Sequence, residues 1–199
     1  KIFFSQYLAA LSYNMSIIFP NDLNKSFFPN SGAEAIEAGV KLAFKYHNGL
    51  RKSIVHSDIS FHGKTLAALN ISNSTEINFG YQKILDNFIF EYNNFDSLQK
   101  LIEDLKKSNN LPYCLVVEPF SASTLRESDI DFLEKTQRIC NNNKIVLVFD
   151  EIYSGWAKTG KLFNFFRSNA IPDIVAYSKS FGGGKASISG ITVRDKIYK

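Results

Sequence analysis

The stretch KIVLVFD, Lys144 to Asp150, decides the fold class of this chain of 199 residues. Its β-branched and aliphatic residues are nearly uninterrupted, which is typical of a strand buried on both faces of a parallel sheet. Just upstream, Asp129 to Asn141 has apolar residues at helical spacing and predicts a helix that leads into this strand. We therefore predict a helix–strand unit with Asp150 at the carboxyl end of the strand.

The rest of the chain shows the same alternation of helix and strand patterns. Strands are predicted at 53–56, 115–118, 174–177 and 189–194, helices at 33–45 and 98–107, and asparagine-rich loops at 108–110 and 141–143. Apolar residues near the start of the chain suggest one more helix that packs on the core: Phe3, Phe4, Leu8 and Leu11. Helices that alternate with strands predict a three-layer α/β/α fold around a mostly parallel sheet.

Composition restricts the classes of function. The chain is 45% hydrophobic and 21% charged, which suits one globular domain spanning residues 1–199. The net charge of +4 is scattered and includes no block of like charges, so we expect no nucleic-acid partner. No apolar run is long enough for a membrane span, so we expect no membrane partner.

The two cysteines, Cys114 and Cys140, lack the close spacing of a zinc site or a redox pair. We therefore expect a reducing compartment and a cytoplasmic protein. The chain starts at Lys1 and stops at Lys199 directly after a predicted strand. We expect a fragment of a longer protein, in which an N-terminal segment and a C-terminal domain are missing.

A small-residue turn, Ser31-Gly32-Ala33, precedes the predicted helix at 33–45. The first N–H groups of a helix have no intrahelical partner and lie at the positive end of its dipole, so this turn is a candidate phosphate site. The alternative is that Ser31 only caps the helix and Gly32 only makes a turn.

Two residues that follow predicted strands are candidates for chemistry. Asp150 ends a buried strand, where an α/β sheet presents its ligand groups, although a helix cap or a salt bridge is the alternative. Lys179 follows the strand at 174–177 and precedes three glycines, and Lys185 is its rival. The glycine run does not fit an ATP-binding loop, because that pattern requires glycine where Lys179 stands and serine or threonine where Ala186 stands.

Six segments together, in order, resemble the class III aminotransferases, the ornithine, acetylornithine and 4-aminobutyrate group of fold-type I enzymes that depend on pyridoxal 5′-phosphate. The segments are Asn30 to Glu37 (NSGAEAIE), Phe61 to Thr65 (FHGKT), Glu118-Pro119, Phe149 to Ile152 (FDEI), Lys158 to Phe163 (KTGKLF) and Ser178 to Gly184 (SKSFGGG). They cover most of the chain from about residue 27.

The resemblance implies a role for each of these segments. Lys179 would form the Schiff base with pyridoxal 5′-phosphate, and Asp150 would keep the pyridine nitrogen protonated so that the ring can accept electrons. The other residues that the resemblance places around the cofactor are Ser31, Gly32 and Ala33 at the phosphate, Phe61 on one side of the ring, and His62, Glu118 and Tyr153 beside it. Ile152 stands two residues past Asp150, so in a continuing strand it would point to the same face as Asp150, and we expect it on the other side of the ring. Tyr153 departs from the family pattern, because many members have glutamine there, near the phenolic oxygen of the cofactor.

The activity implied is transamination between an amine or amino acid, including ω-amino acids, and an oxo acid, with the cofactor bound in a homodimer. Family members continue into a smaller C-terminal domain that carries an arginine for the substrate carboxylate. Two alternatives stay open: a related aminomutase or decarboxylase, and a truncated module without catalysis. The three histidines are too dispersed for a metal site, and we expect no metal.

Overall fold

The computed structural model describes residues 5–73 and 84–198, so the predicted contributions of Phe3 and Phe4 lie outside the described residues. The elements are, in chain order, α1 (Gln6–Ile18), β1 (Leu23–Phe27), α2 (Gly32–Tyr46), β2 (Ile54–Ser57), α3 (Leu66–Asn70), β3 (Asn87–Phe90), α4 (Phe95–Lys107), β4 (Cys114–Val117), α5 (Ile130–Asn143), β5 (Val146–Asp150), β6 (Ile174–Tyr177), β7 (Gly190–Arg194) and α6 (Asp195–Tyr198). Two 3₁₀ turns follow β5 and β6, at Asn164–Arg167 and Lys179–Gly182.

Within the described residues, seven strands form one sheet in the order β1-β7-β6-β5-β4-β2-β3. The five strands from β6 to β3 are parallel neighbours, and β7 and β1 pair antiparallel at the other side. The predicted mostly parallel α/β sheet is confirmed.

Two apolar cores cover the two faces of the sheet. In β5, Leu147 and Phe149 contribute to one core, and Val146 and Val148 to the other, because successive side chains of a strand point to opposite faces. Helices α1, α4 and α5 pack on the first face, and α2, α3 and α6 on the second. The result is the three-layer α/β/α arrangement predicted from the sequence.

Some predicted boundaries were wrong, for local reasons. The loop predicted at 141–143 is the last turn of α5, and Lys144 follows as its C-cap with a φ of 54°. This left-handed residue separates helix from strand, so β5 begins at Val146. In α1, Met15 is the buried residue, whereas Leu8 and Leu11 are half-buried.

The strand order creates a crevice at one edge of the sheet. Strands β3 and β4 lie on opposite sides of β2, so their connections leave in different directions. In open α/β sheets, ligands bind at such a reversal, outside the carboxyl ends of the strands. No helix among the described residues has the length and apolarity needed to cross a membrane.

Candidate functional site

A cavity of about 200 Å³ opens at the carboxyl ends of the parallel strands. It is smaller than the roughly 300–1,000 Å³ of sites for drug-sized ligands, and is suited to a compact ligand such as a single substituted ring. The residues that line it are Gly32, Ala33, Phe61, His62, Gly63, Glu118, Ala122, Asp150, Ile152, Tyr153, Ser178 and Lys179.

One wall of the cavity is the N-terminus of α2. The Ser31 hydroxyl accepts a hydrogen bond from the backbone N–H of Glu34 (3.2 Å), and the Glu34 carboxylate accepts the N–H of Ser31 (2.9 Å) in return. Helix geometry leaves the N–H groups of Gly32 and Ala33 without an intrahelical partner, and both residues line the cavity. Ser31 serves as the helix cap, which is the alternative that the sequence left open.

Close packing around this N-terminus requires glycine at two positions. A Cβ atom on Gly63 would lie 2.7 Å from the Cβ of Ala33, and the φ of Gly63 is +125°, a backbone conformation that other residues rarely adopt. A Cβ atom on Gly32 would lie 3.0 Å from Cδ1 of Ile152. The lack of side chains therefore lets the segment at 61–63 and the turn after β5 approach the helix end.

A buried ion pair lies at the base of the cavity. Nδ1 of His62 is 2.7 Å from Oδ2 of Asp150, and Oδ1 of Asp150 accepts the N–H of Ile152 at 3.0 Å. Burial lowers the pKa of His62, but the hydrogen bond and charge of Asp150, aided by the charge of Glu118, outweigh it, and the net pKa is raised. The contact with Asp150 therefore favours the protonated form of His62 more than water does for a free imidazole.

The Glu118 carboxylate connects two parts of the cavity wall. Its Oε2 accepts the N–H of Phe61 (3.0 Å), and its Oε1 accepts the N–H of Ala122 (3.1 Å). Burial raises the pKa of Glu118 to about 7, although the neighbouring His62 charge opposes that shift. In this structure Glu118 contacts backbone groups of the wall.

Lys179 lies at the rim of the cavity, in the 3₁₀ turn after β6. Its side chain is exposed, and its φ of +45° is left-handed, which is uncommon for a residue other than glycine. The turn ends at Gly183 and Gly184, whose φ values of +60° and +73° confirm the predicted glycine turn. The rival residue, Lys185, is exposed in the loop that follows.

Tyr153 lines the cavity next to Lys179. Its ring centroid is 5.2 Å from Nζ of Lys179 and 4.2 Å from Nζ of Lys158, and its ring stacks on Phe120 at 5.8 Å. Phe61 and Ile152 line the cavity as well. The sequence argument for Ile152 was wrong in one respect: β5 ends at Asp150, so Ile152 faces the cavity from a turn rather than from the same face of a strand.

The structure thus brings together nine of the ten residues that the sequence placed at the cofactor, and Ser31 caps the adjacent helix. Sequence reasoning did not assign Gly63, Ala122 or Ser178 to the site, although they also line the cavity. Gly63 lies in the segment FHGKT directly after His62, and this position could have indicated that it lines the cavity.

Comparisons with known proteins agree with this geometry. The family model described as Aminotransferase class-III matches residues 1–199. An acetylornithine aminotransferase of Prochlorococcus marinus is 38% identical over 175 residues, which are 85% of this chain and 42% of the relative. One of Aquifex aeolicus is 30% identical over 178 residues, 87% of this chain and 46% of the relative.

Two solved structures share the fold. A transaminase from the marine bacterium Virgibacillus superposes with a TM-score of 0.90 and 24% identity, over 98% of this chain and 47% of that one. A taurine:2-oxoglutarate aminotransferase from Bifidobacterium kashiwanohense, solved in complex with PLP and glutamate, gives a TM-score of 0.86 with 22% identity, over 98% of this chain and 48% of that one. The chain therefore spans less than half the length of these relatives.

Proposed function

Because the chain belongs to the class III aminotransferase family, we propose that its cavity binds pyridoxal 5′-phosphate and that the protein transfers an amino group between an amine or amino acid and an oxo acid. The observation that carries the proposal is that Asp150 and Lys179 line one cavity beside the N-terminus of α2. A carboxylate for the pyridine nitrogen, an amine for the aldehyde and a cradle for the phosphate are the three groups that this cofactor requires.

The residues of the cavity fit the cofactor by their chemistry. The N–H groups of Gly32 and Ala33 belong to the first turn of a 15-residue helix and would bind the phosphate. A Cβ atom at Gly32 would crowd Ile152 at 3.0 Å, so the glycine gives this cradle more room. Phe61 and Ile152 offer apolar surface for the two sides of a flat ring.

When bound, pyridoxal 5′-phosphate supplies an aldehyde that condenses with amines and a protonated ring that draws electrons from the carbon beside the amine. Asp150 would hold the proton on the ring nitrogen, because a buried carboxylate stabilises a cation in contact with it. His62 would fix the orientation of the Asp150 carboxylate through the 2.7 Å contact.

Lys179 would carry the cofactor through its Nζ atom and release it when the substrate amine takes its place. Its freed amine would then remove the proton from the substrate carbon and return it at the aldehyde carbon. Lys179 lines the cavity with an exposed side chain, and an amine that a substrate from solution can reach supports this double role. Tyr153 would donate a hydrogen bond to the phenolic oxygen of the cofactor.

We infer further that the protein acts as a homodimer in the cytoplasm, on small amines and oxo acids. The family resemblance supports the dimer, and the two cysteines, which are free and buried, agree with a reducing compartment. Light scattering of the purified protein and cell fractionation test these two inferences.

Borohydride reduction tests the cofactor site directly. The protein is expressed over its whole reading frame, incubated with pyridoxal 5′-phosphate, reduced and mapped by peptide mass spectrometry. We expect the label on Lys179, and we expect Lys185→Ala to label as the wild type does while Lys179→Ala loses the label. A folded protein that stays unlabelled, or that is labelled at Lys185 instead, would contradict the proposal.

A related aminomutase or decarboxylase would use the same residues, so the products must separate these reactions. Incubation of the unreduced protein, loaded with pyridoxal 5′-phosphate, with an amino donor and 2-oxoglutarate should give a new oxo compound and a new amino acid in equal amounts. Release of carbon dioxide, or an isomer of the donor without an acceptor, would assign the related chemistry.

A further inference from the structure

Two turns at the carboxyl edge of the sheet contact each other through four side chains. Tyr153 and Trp156 stand three residues apart after β5, and Lys179 and Phe181 stand two residues apart after β6. The Tyr153 ring centroid lies 5.2 Å from Nζ of Lys179. The rings of Trp156 and Phe181 stack with centroids 4.8 Å apart and an interplanar angle of 9°. The turn that carries Lys179 therefore contacts the neighbouring turn through the side chains of Lys179 and Phe181.

The backbone of Lys179 requires such support. A φ of +45° is rarely adopted by a lysine, and a residue in that conformation keeps it only when its surroundings enforce it. Phe181, in the same turn, packs edge-on against Tyr177 at 5.1 Å besides its stack on Trp156. Because Phe181 cannot shift without losing both contacts, the turn and its left-handed residue are fixed.

The ring of Tyr153 is itself held in place. Phe120 stacks on it at 16°, and Nζ of Lys158 lies 4.2 Å from its centroid. An aromatic face attracts ammonium groups, and this attraction draws the flexible side chains of Lys158 and Lys179 towards the same ring. A glutamine, the residue that the family resemblance led us to expect at this position, has no aromatic face.

We propose that Tyr153 and Trp156 are positioning residues for Lys179: Trp156 holds the 3₁₀ turn through Phe181, and Tyr153 holds the lysine amine at the mouth of the cavity. This inference rests on the proposed function, because the position of the Lys179 amine matters only if that amine binds the cofactor. Both residues act by keeping Nζ of Lys179 close to the place where the aldehyde of the cofactor would bind.

The experiment measures how fast Lys179 captures pyridoxal 5′-phosphate in the protein expressed over its whole reading frame. Samples are quenched with borohydride at intervals, and the label on Lys179 is quantified at low and at saturating cofactor. The variants are Tyr153→Leu, Tyr153→Phe, Trp156→Ala and Trp156→Phe. Phe166→Leu is the control, because Phe166 belongs to the same aromatic cluster and contacts Phe19, Phe163 and Phe165.

We expect capture at saturating cofactor to slow by roughly tenfold in Tyr153→Leu and in Trp156→Ala, since misplacing a reacting group costs that much or more. The phenylalanine variants keep a ring and should recover most of the rate at saturating cofactor, whereas Tyr153→Phe, which lacks the hydroxyl for the phenolic oxygen, should need more cofactor to reach saturation. Phe166→Leu should lower the melting temperature and leave the capture rate per folded molecule unchanged. If Trp156 only stabilised the fold, Trp156→Ala would behave as Phe166→Leu does, with a lower melting temperature and an unchanged capture rate.

The outcomes separate the two proposals. Absence of label on Lys179 in the wild type contradicts the proposed function itself. Normal label in the wild type with unchanged capture rates in Tyr153→Leu and Trp156→Ala overturns the positioning role alone. If Trp156→Ala does not fold, Tyr153→Leu decides, because Tyr153 is only half-buried.

Discussion

Nδ1 of His62 lies 2.7 Å from Oδ2 of Asp150, although 88 residues separate them in the sequence. Both residues are buried, with exposed fractions of 2% and 4%. The second carboxylate oxygen accepts the N–H of Ile152, so both oxygens of Asp150 have a donor. A carboxylate whose two oxygens both have a donor keeps one orientation towards the cavity, which is what a partner for a pyridinium nitrogen needs.

Asp150→Asn should separate cofactor binding from turnover. The amide keeps an oxygen for the N–H of Ile152, but it cannot hold a proton on the ring nitrogen. We expect Lys179 to label normally after borohydride reduction while turnover falls by about 100-fold or more. As a control, Asp173→Asn changes another buried carboxylate, which lies just before β6, accepts the N–H of Leu147 and forms an ion pair with Lys196. This change should lower the stability of the fold and leave the turnover per folded molecule unchanged. Near-normal turnover in Asp150→Asn would show that Asp150 is structural.

His62→Leu and His62→Asn form a matched pair. Asparagine can place an N–H donor close to where Nδ1 of His62 lies, whereas leucine places an apolar group beside the Asp150 carboxylate. We expect His62→Leu to lose about 10-fold to 100-fold in turnover, as when the hydrogen-bonded support of a site is removed, and His62→Asn to lose much less. Steady-state kinetics at saturating cofactor give the comparison. Equal losses in both variants would mean that the ring volume matters and the hydrogen bond does not.

Glu151 should make stability depend on pH. It is buried and accepts the N–H of Phe165 at 2.8 Å and the hydroxyl of Ser154, and burial raises its pKa to about 7. A carboxyl whose pKa is higher in the folded than in the unfolded protein stabilises the fold at low pH. That stabilisation is lost as the pH rises from about 4.5 through about 7.

In Glu151→Gln the titrating group is gone, so the free energy of unfolding should fall less steeply with pH. The difference between wild type and variant across this window is on the order of 3 kcal/mol at most. Urea unfolding at about pH 5 and about pH 8 measures it. Because Glu118 also has its pKa raised to about 7, some slope should persist in the variant. Parallel pH profiles in the two proteins would contradict the assignment.

Gly190→Ala should destabilise the fold strongly. Gly190 pairs with Tyr177 across β7 and β6, and a Cβ atom there would lie 2.3 Å from Cε2 of Tyr177. Forcing an atom into such a packed place costs about 1–3 kcal/mol or more. Gly39→Ala is the control, because its Cβ would meet Ile174 at an ordinary 3.5 Å and alanine favours the helix. Thermal unfolding should show a lower midpoint for Gly190→Ala only, and similar midpoints in both variants would refute the steric argument.

The sequence alone determined the class of fold and the order of its main elements. Strand β6 was predicted at the residues where it occurs, and the helix predicted at 33–45 is α2 within a residue at each end. These elements bury continuous apolar runs or one regular stripe, so local periodicity encodes them. The edge strands β1 and β3 escaped prediction, because strands with few buried residues lack that signal.

The tertiary structure alone decided which side chains meet. The contact of His62 with Asp150 depends on the strand order, which places β2 and β5 on either side of β4. The hydrogen bond from the N–H of Phe61 to Glu118 depends on the adjacency of β2 and β4, and the stack of Trp156 on Phe181 on the adjacency of β5 and β6. Residue spacing along the chain encodes local conformation, whereas the pairing of distant strands follows from burying two apolar faces at once. The motifs predicted which residues lie at the candidate site, and the folded sheet brings nine of the ten predicted cofactor residues to one cavity.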